Sequence, residues 1–288
     1  MSSTTGDLRT DDHVGYRTFV VGSRQDRPNL PATGCPFCPG GLEAPELYDV
    51  RWFVNRWPAM LDDRCEVVLY TSEHDATFWS LGAVGARRVV DLWAERTAVL
   101  GARDDIAYVL VFENRGAEVG ATIAHPHGQI YAFDSVPPQP LRELQHGEVF
   151  SSSEDRLVAA APGWRAWVPE APVFPFALTL APDDPVPDLP SLPDAGRDAL
   201  AVLPVDVLER LDRVFDDRTP YMLWIHQRPF DDGDWPQARL HVEIVSPWRA
   251  PDVPRFVAAG ELGSGLFFNP VAPEAAARSL REAVPERP

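Results

Sequence analysis

An α+β protein made of two similar halves is what this sequence predicts, on three observations. Short apolar runs of strand length are interleaved with two long helical patterns. The order of elements before residue 150 recurs after it, which divides the chain into halves of 1–150 and 151–288. The composition, 45% hydrophobic and 24% charged over 288 residues, is that of a globular chain able to bury a sizeable core.

In chain order, residues 16–22 (YRTFVVG) read as a first strand and SRQDRPNLPATG as the loop that follows it. CPFCPGG forms a knuckle-like turn, and strands are expected at 50–56 and 65–71. Residues 84–100 place Val89, Val90, Leu92, Trp93, Val99 and Leu100 on one helical face, and a strand over 106–112 leads into the apolar run ATIAHPHGQIYAF at 121–133. The second half repeats this with strands at 164–168 and 177–181, a helix at 205–215, a strand at 221–226 and RLHVEIV at 239–245. The Pro/Asp-rich segment 182–195 reads as a surface loop within that half.

The net charge of -17 argues against nucleic-acid or anionic-membrane binding, because the long-range field repels polyanions. Any phosphate ligand then needs local arginines. All 26 basic residues are Arg, which removes Walker A and Schiff-base lysine chemistry. No apolar run approaches the roughly 18 residues of a membrane span, and MSSTTGDLRTDD lacks a signal-peptide core. A cytoplasmic location is expected. Three cysteines do not make a disulfide framework, and in a reducing compartment the pair Cys35 and Cys38 suggests a metal or redox role.

In His125-Pro-His127-Gly-Gln129 the alternate residues of an extended chain share one face. A neutral histidine there can attack phosphorus, the Gln129 amide can donate to an anionic oxygen, and Gly128 permits close approach. The competing reading is a pair of buried, hydrogen-bonded histidines; five consecutive functional types in register favour the chemistry. Cys35, Cys38, His74 and His125 offer a tetrahedral zinc shell. A reduced cysteine pair in a turn fits the Cys spacing nearly as well; a metal on His125 would also aim His127, which tips the balance. Glu143, His226, His241 and Glu243 suit either a second metal or a hydrogen-bonded polar core. Arg24, Arg27 and Arg115, with Asn55 and Asn114, are candidates for phosphate and nucleotide contacts.

The run VFENRGAEVGATIAHPHGQIYA at 111–132 closely resembles the active-site segment of the galactose-1-phosphate uridylyltransferase family, in the histidine-triad superfamily. Arg24-Gln-Asp-Arg27-Pro28, Cys35-Pro-Phe-Cys38, Val54-Asn55, Ser72-Glu-His74, Leu240-His241 and Arg255-Phe256 with Gly260-Glu261 are similar to family landmarks in the family's order. The resemblance runs from about residue 8 to 282.

It implies two tandem histidine-triad-like repeats forming a continuous, mostly antiparallel sheet with helices packed on it. It implies that His127 takes the uridylyl group from UDP-glucose and hands it to galactose 1-phosphate. Gln129, Gly128 and Thr122 would serve the phosphoryl oxygens, and Asn55 and Asn114 the nucleotide. Arg24 and Arg27 would reach into a partner subunit, which implies a homodimer. Zn2+ would sit on Cys35, Cys38, His74 and His125; a second ion, Fe or Zn, would use the Glu143 cluster. Arg255 and Glu261 would also bind substrate. Three departures stand out: the chain is shorter than typical members, Glu243 stands where some members have histidine, and Arg255 replaces a common lysine, with Glu261 kept. The alternative is a related nucleotidyltransferase or phosphorylase acting on another nucleotide sugar or a dinucleoside polyphosphate.

Overall fold

The structure, a computed structural model, describes residues 7–22, 34–147, 150 and 153–284. Arg24 and Arg27, with nearly all of the loop that carries them, lie outside the described residues.

The chain opens with a hairpin, β1 (Asp7–Thr10) and β2 (Arg17–Val20), which forms its own two-stranded sheet. Then come β3 (Arg51–Val54), β4 (Cys65–Leu69), α1 (Gly82–Gly101), β5 (Tyr108–Arg115), β6 (His127–Phe133) and α2 (Pro138–His146). The remainder is β7 (Leu157–Ala161), β8 (Trp164–Trp167), β9 (Phe176–Pro182), α3 (Asp194–Phe215), β10 (Tyr221–His226) and β11 (His241–Ser246). The short strands β12 (Trp248–Ala250) and β13 (Val253–Pro254) and the helices α4 (Ala259–Ser264) and α5 (Pro273–Glu282) close it.

Nine strands form one continuous sheet in the order β3-β4-β6-β5-β10-β11-β9-β8-β7, with every neighbouring pair antiparallel. The strands before and after residue 150 meet at β5 and β10, which pair from Tyr221↔Arg115 to Ile225↔Val111. Helices α1 and α3 pack on each other and on the sheet. Alternation along the strands assigns the two faces. Val109, Val111, Ile130, Ala132, Ile225, Val242 and Ile244 enter the core cluster with α1 and α3, where Phe78 stacks on Trp93 at 5.7 Å and Tyr70 meets both edge-on. Their strand neighbours His127, Gln129, His241 and Glu243 face the other way.

Three expectations change. The strand within 121–133 begins only at His127, because Pro126 has no N–H to give the ladder, so His125 lies in the preceding loop. The helix expected at 205–215 starts at Asp194 and runs through Pro204. An interior proline costs about 3 kcal/mol, here offset by burial of Leu200, Leu203, Val207, Leu208 and Leu211. Finally, 182–195 is not simply a surface loop: Asp188, Leu189 and Leu192 are buried, and Asp188 pairs with Arg228 at 2.8 Å.

Candidate active site

His127 is the first residue of β6, and the register sets its surroundings. Leu69 lies opposite His127 and Val67 opposite Gln129, with Phe53 of β3 beside Val67. Rows of side chains thus cross the sheet on the face away from the helices and floor a cleft of ≈320 Å³. Phe37, Phe53, Trp57, Val67 and Ile123 give it apolar walls; Glu43, Asn55, Arg56, Thr122, His127 and Gln129 supply the polar groups. A narrower recess beside it is lined by Asn114, Arg115, His125 and His127.

His127 Nδ1 lies 2.7 Å from the carbonyl oxygen of His125, so Nδ1 carries the proton and donates it there. The lone pair is then on Nε2. Phe37 packs edge-on against the ring at 5.0 Å between centroids. The backbone N–H of Trp57 donates to Asn55 Oδ1 at 2.9 Å, which turns Asn55 Nδ2 toward Gln129 Oε1 at 3.4 Å and leaves the Gln129 NH2 end for a ligand. Gly128 does permit close approach, and from the core side: a Cβ there would run into the Tyr70 hydroxyl and lie 3.0 Å from the Phe112 carbonyl oxygen.

Around His125 four donors converge. Nδ1 of His125 lies 3.8 Å from Cys35 Sγ and 3.6 Å from Cys38 Sγ, and His74 Nδ1 is 3.4 Å from Cys38 Sγ. Tetrahedral zinc with ordinary Zn–S and Zn–N bonds implies S···N edges of about 3.6 Å, so the spacing fits that ion. His125 Nε2 approaches Thr71 O at 2.7 Å and the Tyr48 hydroxyl at 2.9 Å, while Tyr48 donates to Phe37 O. The proton therefore sits on Nε2, and the Nδ1 lone pair faces the sulfurs. Burial holds the His125 pKa down, as a neutral ligand requires, while burial and the adjacent Cys35 sulfur push the Cys38 thiol up. Gly41 closes the knuckle: a Cβ there would lie 2.6–2.8 Å from three backbone carbonyls of the turn.

The second cluster also assembles, on the same face and at a cavity of ≈630 Å³. His226 Nδ1 is 2.7 Å from Glu143 Oε2, and His241 Nε2 is 3.7 Å from Glu143 and 3.6 Å from Glu243. His241 Nδ1 donates to the carbonyl of Arg239 two residues back, as His127 does to His125. Burial would lower the His241 pKa, but Glu243 and Glu143 outweigh it and raise it; burial would raise Glu143, but His226 holds it down. In each cluster the donor atoms lie within 4.8 Å of one another, so either can hold a cation.

Other candidates are engaged with partners of their own. Arg115 is bound to Asp212 and to the carbonyl of Thr219. Arg255 and Glu261 form a buried ion pair near the Phe174 ring and do not line the His127 cleft of their own chain. Sequence reasoning missed Phe37, Tyr48, Phe53, Trp57, Ile123, Glu43 and Arg56. Phe37, sitting between the two cysteines, carried the one local signal.

Comparison with known proteins bears on this geometry. Residues 54–137 match the model of the galactose-1-phosphate uridyl transferase N-terminal domain. A Thermotoga maritima protein named galactose-1-phosphate uridylyltransferase is 35% identical, over 96% of this chain and 98% of its own. One of the same name from Streptomyces lividans is 35% identical, over 97% and 87%. A solved uridylyltransferase structure superposes with a TM-score of 0.86 at 29% identity, covering 96% of this chain and 98% of that one.

Proposed function

The chain belongs to the galactose-1-phosphate uridylyltransferase family, and from that premise we propose that it transfers a uridylyl group from UDP-glucose to galactose 1-phosphate by double displacement through His127. The observation that carries this reading is the tautomer of His127. With Nδ1–H donated to His125 O, the lone pair is left on Nε2, in a cleft that Gln129 also lines and whose walls are apolar with a few polar groups.

In the first half-reaction the Nε2–P bond forms at the α-phosphorus as the bond to glucose 1-phosphate breaks. The His125 carbonyl stabilises the positive charge that develops on the ring, and the Gln129 NH2 donates to a non-bridging oxygen. In the second, a phosphate oxygen of galactose 1-phosphate attacks phosphorus and the N–P bond breaks, leaving UDP-galactose. Asn55 holds Gln129 in orientation, Thr122 and Asn114 border the reacting phosphates, and the apolar walls take the base.

Cys35, Cys38, His74 and His125 are the residues that would hold zinc, a structural ion that fixes the loop leading into β6. Glu143, His226, His241 and Glu243 offer a harder set, suited to a second ion, Fe or Zn. A thiol-ligated site suits a reducing, cytoplasmic compartment, and among the described residues no helix is long and apolar enough to cross a membrane. We place Arg255 and Glu261, with Arg24 and Arg27, at the cleft of a second copy in a homodimer. Exposed Phe256, Leu262, Leu266 and Phe268 around that ion pair support an interface there. The two halves, 1–150 and 151–288, are read as a duplicated unit, supported by the matching Nδ1 bonds of His127 and His241.

The test is to mix protein with UDP-glucose alone, follow glucose 1-phosphate release and weigh the intact chain. A stoichiometric burst with an acid-labile uridylyl adduct that His127→Asn abolishes is expected. Release that occurs only with inorganic phosphate as acceptor would favour a phosphorylase instead.

A further inference from the structure

Resting on that transfer reading, we propose that Asp212 is a positioning residue for the His127 cleft, the clasp through which the second half of the chain sets the walls around the reacting histidine.

Among the described residues, those lining the cleft and the recess beside His127 all belong to the first half. Asp212 lies in α3, buried, and its carboxylate collects donors from three separate segments. Trp79 Nε1 donates to Oδ2 at 2.7 Å, and Arg115 Nη1 donates to the same oxygen at 3.0 Å. Arg115 Nη2 and, at 3.0 Å, the backbone N–H of Thr219 donate to Oδ1. Two donors on each oxygen fill the acceptor sites that a carboxylate has. The Arg115 fork is thus held through both of its ends, and its Nε adds a bond to Thr219 O at 3.0 Å.

These partners anchor the recess walls. Ala76, Thr77 and Phe78 lead into Trp79, and Asn114 precedes Arg115. Beyond Arg115 the chain leaves the sheet at Gly116, with a φ of +100° that glycine alone takes readily, and returns to it at His127. A Cβ on Gly116 would lie 2.7 Å from Pro220 Cβ, so the residue after Thr219 buttresses that departure. The excursion brings Thr122 and Ile123 to the cleft. Its far end is fixed by the donor cluster at His125 and its near end by Asp212. Loss of the clasp would let this wall, with Asn114, shift relative to His127, which is costly to a transfer that needs the α-phosphorus in line with Nε2. An asparagine at 212 would keep the size but turn a donor toward the mostly buried Arg115 guanidinium.

The test compares wild type, Asp212→Asn and Trp79→Phe, each below its own melting temperature. It reads single-turnover adduct formation from UDP-glucose and amide hydrogen exchange across 114–124. Asp212→Asn should slow adduct formation by about 10- to 100-fold with KM for UDP-glucose little changed, the cost of a misplacement of about 1 Å. Exchange should speed up over 114–124 while β8 and β9 keep their protection. Trp79→Phe withdraws one of the four donors and keeps an aromatic ring, so it should do both in smaller measure. It decides in the same terms if the Asp212→Asn chain does not fold. A purely structural Asp212 would lower the melting temperature and leave the folded variants at the wild-type rate, and that result would overturn the assignment. If wild type formed no adduct, the transfer reading would fall and exchange would judge the clasp separately. Protection of 114–124 lost with Asp212→Asn upholds it; protection kept overturns it.

Discussion

His127 donates its Nδ1 proton to the backbone carbonyl of His125, 2.7 Å away and two residues back, so one histidine of the motif sets the tautomer of the other through the main chain. Asparagine is the substitution that probes this bond, because its Nδ2 can donate where Nδ1 did while no nucleophile remains. His127→Asn should keep the wild-type melting temperature and lose activity by on the order of 10⁴-fold or more. Activity near that of wild type would exclude His127 as the nucleophile.

Metal content offers a separate test. Elemental analysis should find zinc, and Cys35→Ser should remove it and lower the melting temperature. The Tyr48 hydroxyl meets His125 on the nitrogen away from the sulfurs, and its ring lies tilted 6.5 Å from the imidazole, a contact that phenylalanine would keep. Tyr48→Phe should therefore retain the site but weaken zinc affinity by about 10- to 100-fold, measured by competition with a chelator.

Gly128 is pressed against the Tyr70 hydroxyl, with Phe112 O 3.0 Å from the same hypothetical Cβ. Gly128→Ala should destabilise by about 1–3 kcal/mol in urea unfolding, as overpacked sites do. Tyr70→Phe in the same chain should return part of that loss. Simple additivity of the two changes would show that the contact is not the cause.

Glu113 lies opposite Gly128 on β5, wholly buried, and donates nothing when ionised; it accepts from the Tyr221 hydroxyl. Burial pushes its pKa up to about 7, against the opposing pull of the Tyr221 hydrogen bond and Arg115. The folded chain thus holds this proton more tightly than the unfolded chain does. The contribution is fully present below the ordinary carboxyl range and is lost as pH rises through about 7. Unfolding measured at pH 5 and pH 8 should show a fall on the order of 3 kcal/mol that Glu113→Gln lacks. An equal fall in both proteins would remove Glu113 as its source.

Chemistry carried by neighbouring residues was legible in the sequence. The motif at 125–129 and the cysteine pair are local patterns, and alternation placed His127 with Gln129 on a shared face. The two four-residue clusters join distant segments, yet their histidines and cysteines were rare enough to stand out in a chain with seven histidines and three cysteines. The cleft walls were not legible. Phe53 and Val67 look like ordinary strand residues until the register sets them in one row with Gln129. Helix α3 was foreshortened because Pro204 is a local signal, whereas the packing that overrides it is tertiary. Arg255 and Glu261 showed the opposite failure: as landmarks they suggested the cleft, but within one chain they pair with each other.

The β5–β10 seam also bears on how the chain can be taken apart. Beyond the strand pairing, Gln227 donates to Val109 O and its backbone N–H to the Tyr108 hydroxyl, so the seam is fastened at its end by side chains as well. A chain cut between residues 147 and 153 would yield two fragments, each ending its sheet on a raw edge of unpaired N–H and C=O groups whose complement is the other fragment. Co-expressed, the pieces should find one another and rebuild the nine-stranded sheet; expressed singly, each should aggregate through that edge. The joint that makes the sheet continuous is thus also the site at which this protein can be split into a reassembling pair.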